Sequence, residues 1–236
     1  MRTASEAATT LGTLVSEAPE RASVFDRLGL DYCCHGDRTL ADACDAQGLD
    51  VDEVVDALAQ TRTDPAAAAW TNLGPAELAD HVVEVHHRYL WDELGPLEEL
   101  ATKVDGVHGG RHAELHEVAA LVRELRGELE PHMEKEERVL FRAIHALVEG
   151  ERAFPFGSIE NPIGMMRVEH ERAGEILDRL HELTDGFRVP DDGCASYRSL
   201  YRRLAEVETD THLHVHKENG VLFPTAAALA AEQERV

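Results

Sequence analysis

Long hydrophobic runs are missing from this 236-residue chain, and no stretch approaches the roughly 18 to 20 apolar residues that a membrane-spanning helix requires. The opening MRTASEAATT also lacks the charged-then-apolar pattern of a secretory signal, so a cytoplasmic location is the expectation. Positive charge is scarce. Lys plus Arg number 23 against 46 Asp plus Glu, for a net charge of −23. That field repels phosphate polyanions, which argues against a nucleic-acid partner, and it suits a protein that attracts cations. Cysteine is sparse as well: Cys33, Cys34, Cys44 and Cys194 are too few and too unevenly placed for a disulfide scaffold, and they fit a reducing compartment. The β-branched alternation of strands is absent, while Ala, Leu, Glu and Arg dominate, so the expected fold class is all-α. With 43% hydrophobic and 29% charged residues, the chain has the balance of a folded protein rather than a disordered one.

Punctuation divides the chain in two. In the first 60 residues, one short helix ends before Gly29, one opens at Thr39 with Asp42 three residues on, and one opens at Asp50 with Glu53 three residues on. Residues 61–74, TRTDPAAAAWTNLG, break the periodicity with Pro65 and an alanine run. The expected organisation is a small helical domain over 1–62, a linker over 63–74, and an up-down four-helix bundle over 75–236. Four long helical segments are expected in the bundle, about 75–104, 111–148, 160–185 and 195–230, with Pro96 and Pro131 kinking two of them.

The most informative feature is a repeat. HMEKEERVLF, beginning at His132, recurs as HVHKENGVLF, beginning at His214, with six of ten positions identical and the common form H-x-x-K-E-x-x-V-L-F. The offset is 82 residues, and an offset of 83 lays His87 on His170. Residues four apart share a helix face, so His132 points with Glu136, and His214 with Glu218. If each half is an antiparallel hairpin, the spacings of 45 residues (His87 to His132) and 44 (His170 to His214) return the chain to one level of the bundle. Four imidazoles and two carboxylates would then meet. That set suits two metal ions with both carboxylates bridging, and iron, manganese or zinc would each be at home. One His-Glu pair on an acidic helix is an ordinary surface pair, and packing explains the VLF cores; neither explains why His and Glu stay together in both halves. His86 beside His87 is an alternative ligand. His81, His108, His112, His116, His145, His181, His212 and His216 have no counterpart across the repeat and are expected to be mostly surface residues. A ferritin-like site would need two Glu-x-x-His motifs, and only Glu84 to His87 fits.

The segments HVVEVHHRYLWDELGPLEELATKV, HMEKEERVLF, RVEHERAGEIL and HKENGVLFP resemble the hemerythrin-like domain of the iron-sulphur cluster repair di-iron proteins, the repair of iron centres family. LGLDYCCHGDRTLADAC is similar to the short cysteine-bearing domain that precedes it in that family. The resemblance covers nearly the whole chain. It implies two non-haem iron ions, oxo- or hydroxo-bridged, on His87, His132, Glu136, His170, His214 and Glu218. It also implies repair of iron-sulphur clusters damaged by nitrosative or oxidative stress, by iron donation or nitric oxide handling, with damaged iron-sulphur proteins as clients. A hemerythrin-like carrier or sensor of oxygen or nitric oxide, and a nitric oxide reductase, are the alternatives. Oxygen-carrying hemerythrins have a further His one turn after the third-helix ligand, where this chain has Gly174. Cys33 and Cys34 are expected to be exposed free thiols with a redox or iron-handling role, and Cys44 and Cys194 to be structural. The oligomeric state stays open, a homodimer being one option.

Overall fold

The computed structural model describes residues 2–62 and 68–234; residues 63–67 of the expected linker lie outside the described residues. Among the described residues there is no strand, only an isolated bridge between Thr10 and Thr39. The N-terminal region carries five short helices: α1 (Arg2–Ala7), α2 (Leu11–Glu17), α3 (Ala22–Leu28), α4 (Leu40–Gln47) and α5 (Val51–Ala59). Their ends obey local chemistry. The Thr10 hydroxyl caps α2, Thr39 accepts the Asp42 N–H, and Asp50 accepts those of Asp52 and Glu53. Gly29 terminates α3 at φ 64°, a left-handed conformation that a side chain would resist.

Four long rods follow. The first is α6 (Pro75–Val82), a π turn (Val83–His87) and α7 (Arg88–His108); the second is α8 (Glu114–Lys135), a π turn (Glu136–Leu140) and α9 (Phe141–Val148). The third is α10 (Glu160–Leu183), and the fourth is α11 (Ala195–Lys217), a π turn (Glu218–Leu222) and α12 (Phe223–Glu234). These bounds lie close to the expected segments, and α7 and α8 run on through Pro96 and Pro131. Contacts of α7 with α8, α8 with α10, α10 with α11 and α11 with α7 close the ring of a four-helix bundle. Short connections make sequence neighbours antiparallel. No described helix is long and apolar enough to cross a membrane.

Spacing builds the core. Leu90, Leu94, Leu97, Ala101 and Val104 recur every three or four residues along α7 and face their equivalents on α8, α10 and α11 in one apolar cluster. A second cluster at the other end joins Leu78, Val82, Phe141, Ile144, Ile163, Met166 and Phe223. Between these layers the bundle buries a polar slab of His86, His87, His132, Glu136, His170, His214, Lys217 and Glu218. Burying that many ionisable groups costs several kcal/mol apiece unless each is paired or bound, so the slab marks the site. The N-terminal helices form a third core around Leu11, Phe25, Tyr32, Leu40 and Val54, and Val215 of α11 reaches into it.

Candidate metal centre

The π turns sit on the candidate ligands. His87 closes the first, Glu136 opens the second and Glu218 opens the third. Such wide turns are rare and gather at functional sites because each inserts a residue that re-aims the side chains around it. Here they bring six side chains to one level. The Nε2 atoms of His87 and His214 lie 3.2 Å apart and those of His132 and His170 3.1 Å apart. Glu218 spans both pairs, with Oε1 3.1 Å from His214 Nε2 and Oε2 3.0 Å from His170 Nε2. Glu136 Oε2 is 3.3 Å from His87 Nε2 and 3.2 Å from His132 Nε2. Two four-residue groups result, His87–Glu136–His214–Glu218 and His132–Glu136–His170–Glu218, and within each the donor atoms lie within 4.8 Å of one another.

Proton accounting decides what these atoms can hold. His87 Nδ1 faces Glu137 Oε1 at 3.0 Å, His132 Nδ1 faces Glu169 Oε2 at 3.0 Å, and His170 Nδ1 faces Asn219 Oδ1 at 3.1 Å. All three partners are acceptors, so in a neutral ring the proton is on Nδ1 and Nε2 presents a bare lone pair. Lone pairs then face lone pairs and carboxylate oxygens across the centre. Both oxygens of Glu136 and Oε2 of Glu218 are buried with no hydrogen-bond partner. A cation would resolve that arrangement: imidazole nitrogens and carboxylate oxygens are metal donors, and the cluster can hold metal. Charge agrees. Burial pushes the Glu218 carboxyl up, but His214 and His170 outweigh it and hold it well below the usual carboxylate range. Glu136 is raised by burial and by Glu218, yet His132 and His87 bring it down overall. Burial lowers His132, but Glu136 and Glu169 carry it up to about 10, so without a cation in the centre this ring takes a second proton and presents its Nε2 lone pair only when a metal displaces it.

The two halves of the centre differ in their surroundings. Glu137 and Asn219 fill the same repeat position and orient the His of the preceding rod in each half. Glu169 orients His132, whereas its counterpart His86 stacks on His214 at 5.4 Å and leaves His214 Nδ1 without a partner. His86 is thus a neighbour of the centre rather than a member. It bonds Asp210 at 2.8 Å and takes a hydrogen bond from Lys217 Nζ at 2.7 Å. Phe141 stacks on His87 and Phe223 on His170, closing the apolar end.

Several expectations are corrected. His108 and His216 are buried rather than at the surface, His216 because the N-terminal helices cover it, with Ser16 Oγ 3.2 Å away. Cys33 is buried and Cys34 only half-buried, because their loop is pressed against the bundle. Cys44 is buried, but Cys194 is exposed at the N-terminus of α11. Backbone N–H groups there, with His108 Nε2 at 3.2 Å, bring the Cys194 thiol down to about 7. The π turns and the residues orienting the imidazoles were not foreseen. The repeat held a clue to Glu137 and Asn219, since each follows its glutamate directly.

Comparison with known proteins adds two matches. Residues 78–226 match the hemerythrin HHE cation binding domain, and residues 7–62 match ScdA_N, a domain of unknown function. The chain is 34% identical over 218 residues to the iron-sulfur cluster repair protein YtfE of Enterobacter sp. (strain 638) and to that of Citrobacter koseri. It is 33% identical to the protein of that name from Escherichia coli O1:K1 / APEC. Each comparison covers 92% of this chain and 96% of the relative.

Proposed function

The chain belongs to the hemerythrin HHE cation-binding family, and on that footing we propose that it repairs iron-sulphur clusters damaged by nitrosative or oxidative stress. The observation that carries this reading is the pair of buried carboxylates, each shared by two imidazole pairs, in a chain whose relatives carry that name over nearly their whole length. In this reading His87, His132, Glu136, His170, His214 and Glu218 would hold two iron ions. Bound there, iron would supply Lewis-acidic and redox chemistry and could itself serve as cargo for a damaged cluster.

The protein's own residues set the terms. Glu137, Glu169 and Asn219 hold the Nδ1 protons of His87, His132 and His170, which keeps each Nε2 free to bind. Phe141 and Phe223 exclude water from the apolar end. With four imidazoles and Gly174 in place of a fifth, the donor set leaves room for a small ligand such as nitric oxide or oxygen, or for release of an ion. Residues 1–62 and 75–236 are read as two domains joined by 63–74, with Cys33 and Cys34 as thiols that serve the bundle's chemistry. Four free cysteines suit a reducing, cytoplasmic setting, and proteins with damaged clusters are the clients.

Metal analysis with a repair assay tests the proposal. The expected result is two irons per chain, a near-ultraviolet absorption of the oxidised protein, and recovery of a nitrosylated iron-sulphur enzyme. Glu136→Ala combined with Glu218→Ala should remove both iron and recovery. Equal recovery by the iron-free variant would overturn the reading. Reversible oxygen binding without repair would favour a carrier, and multiple turnovers of nitric oxide with a reductant would favour a reductase.

A further inference from the structure

Outside the bundle centre, one other group of side chains among the described residues converges in a way that could hold a metal ion. Asp31, Cys33 and Cys34 lie in the loop between α3 and α4, with a carboxylate oxygen and both sulfurs within 4.8 Å of one another. The two sulfurs are 3.8 Å apart, and Cys33 Sγ is 3.3 Å from Asp31 Oδ1. Two thiolates bound at about 2.3 Å to one tetrahedral ion stand about 3.8 Å apart, so the sulfurs already hold the spacing such an ion demands.

The loop is built to keep it. Asp31 Oδ1 accepts the backbone N–H groups of Cys33 at 3.1 Å and Cys34 at 2.9 Å, while Oδ2 is 2.6 Å from His35 Nδ1. A Cβ at Gly36 would strike the Tyr32 carbonyl oxygen, and Gly12 N–H donates to the Gly36 carbonyl at 2.8 Å, pinning the loop to α2. From the bundle, Asn219 Nδ2 donates to the Cys33 carbonyl at 3.2 Å, while its Oδ1 faces His170 Nδ1. Gly174 adds room: a Cβ there would be 3.8 Å from Cys34 Sγ, so any longer side chain would crowd the sulfur. Both cysteines line a cleft of about 660 Å³ between the N-terminal helices and the bundle, so the site has an open side.

We propose that Cys33, Cys34 and Asp31 form a mononuclear site for a borderline divalent ion such as ferrous iron or zinc, distinct from the bundle centre. Two sulfurs and one oxygen favour such ions over magnesium or calcium, which prefer all-oxygen shells. Three protein ligands leave the fourth position to water or an incoming donor from the cleft. Uptake replaces two S–H bonds by two sulfur–metal bonds and releases the two thiol protons, with no change in oxidation state. Asn219, bonded to both the cysteine loop and His170, joins this site to the centre through one side chain. The site does not require the bundle to hold iron.

Cobalt(II) is the probe, because thiolate ligation gives it a charge-transfer band that nitrogen and oxygen ligands do not. Titration of the reduced full-length protein, carrying iron only at the bundle centre, is expected to give that band at one cobalt per chain, with release of about two protons. Cys33→Ser with Cys34→Ser should abolish the band at unchanged circular dichroism. Cys34→Ser alone, at a half-buried position, should weaken it. Asp31→Asn should keep the band but raise the dissociation constant about tenfold or more. Cys194→Ser should change nothing, and Glu136→Ala with Glu218→Ala should still show the band, which separates this site from the bundle reading. No band in the native protein, a band that survives the double serine variant, or one that vanishes with Cys194→Ser would overturn the proposal.

Discussion

Glu169 and His86 occupy equivalent places in the two halves of the bundle, and the difference between them is the main chemical asymmetry of the centre. Glu169 receives the His132 Nδ1 proton and pairs with Lys135, while His86 lies flat on His214 and bonds Lys217. A carboxylate acceptor raises the basicity of an imidazole and locks its ring, and removing such a partner commonly weakens metal binding by about 10- to 100-fold. Glu169→Gln keeps size and burial while losing the charge. Chelator competition on the metal-loaded protein is therefore expected to give at least about a tenfold loss of metal affinity. Identical competition curves for variant and native protein would show that Glu169 does not tune the centre.

At the scale of the element, the π turns explain how a helix meets two demands at once. His132 and Glu136 share one face, and an ordinary helix would carry Phe141 about 100° away from the position of its neighbour Leu140. One extra residue in Glu136–Leu140 absorbs that rotation, and Phe141 stacks on the His87 ring at 5.6 Å. Glu218–Leu222 does the same for Phe223 over His170 at 5.9 Å. A π turn is a one-residue insertion, so deleting Val139, which is exposed rather than in the core that the VLF pattern suggested, should restore a regular helix with both flanks still facing their cores. The expected result is native helix content by circular dichroism with weakened metal binding, because the turn that Glu136 opens is rebuilt while both flanks keep their packing. Metal analysis matching the undeleted protein would mean that the wide turn does not aim the carboxylate.

At the scale of the whole molecule, the N-terminal helices are fastened to α11 beside the centre. Val215 lies in their core, His212 Nδ1 is 3.0 Å from Asp26 Oδ1, and the Tyr32 ring meets the edges of His212 and His216. Val215 immediately follows His214, so one turn of α11 serves the centre on one side and the interface on the other. Val215→Asp places an unpaired carboxylate in that apolar contact, at a cost of roughly 2 to 4 kcal/mol. Hydrogen exchange should then rise across residues 11–58 while α7 and α8 keep their protection. Uniform loss of protection would instead mean that the two regions unfold as one unit.

The sequence by itself determined the helices, their caps and the level at which six side chains meet. These depend on local spacing, on capping residues such as Thr39 and Asp50, and on a duplicated H-x-x-K-E pattern that survives in one dimension. Only the tertiary structure decided that His86 stacks on His214 beside the cluster, that Cys33 is buried and Cys194 is not, and that Asn219 ties the cysteine loop to His170. Each of those depends on which faces of separate helices come into contact, and on π turns that shift register by one residue. A helical period read along the chain carries no record of either.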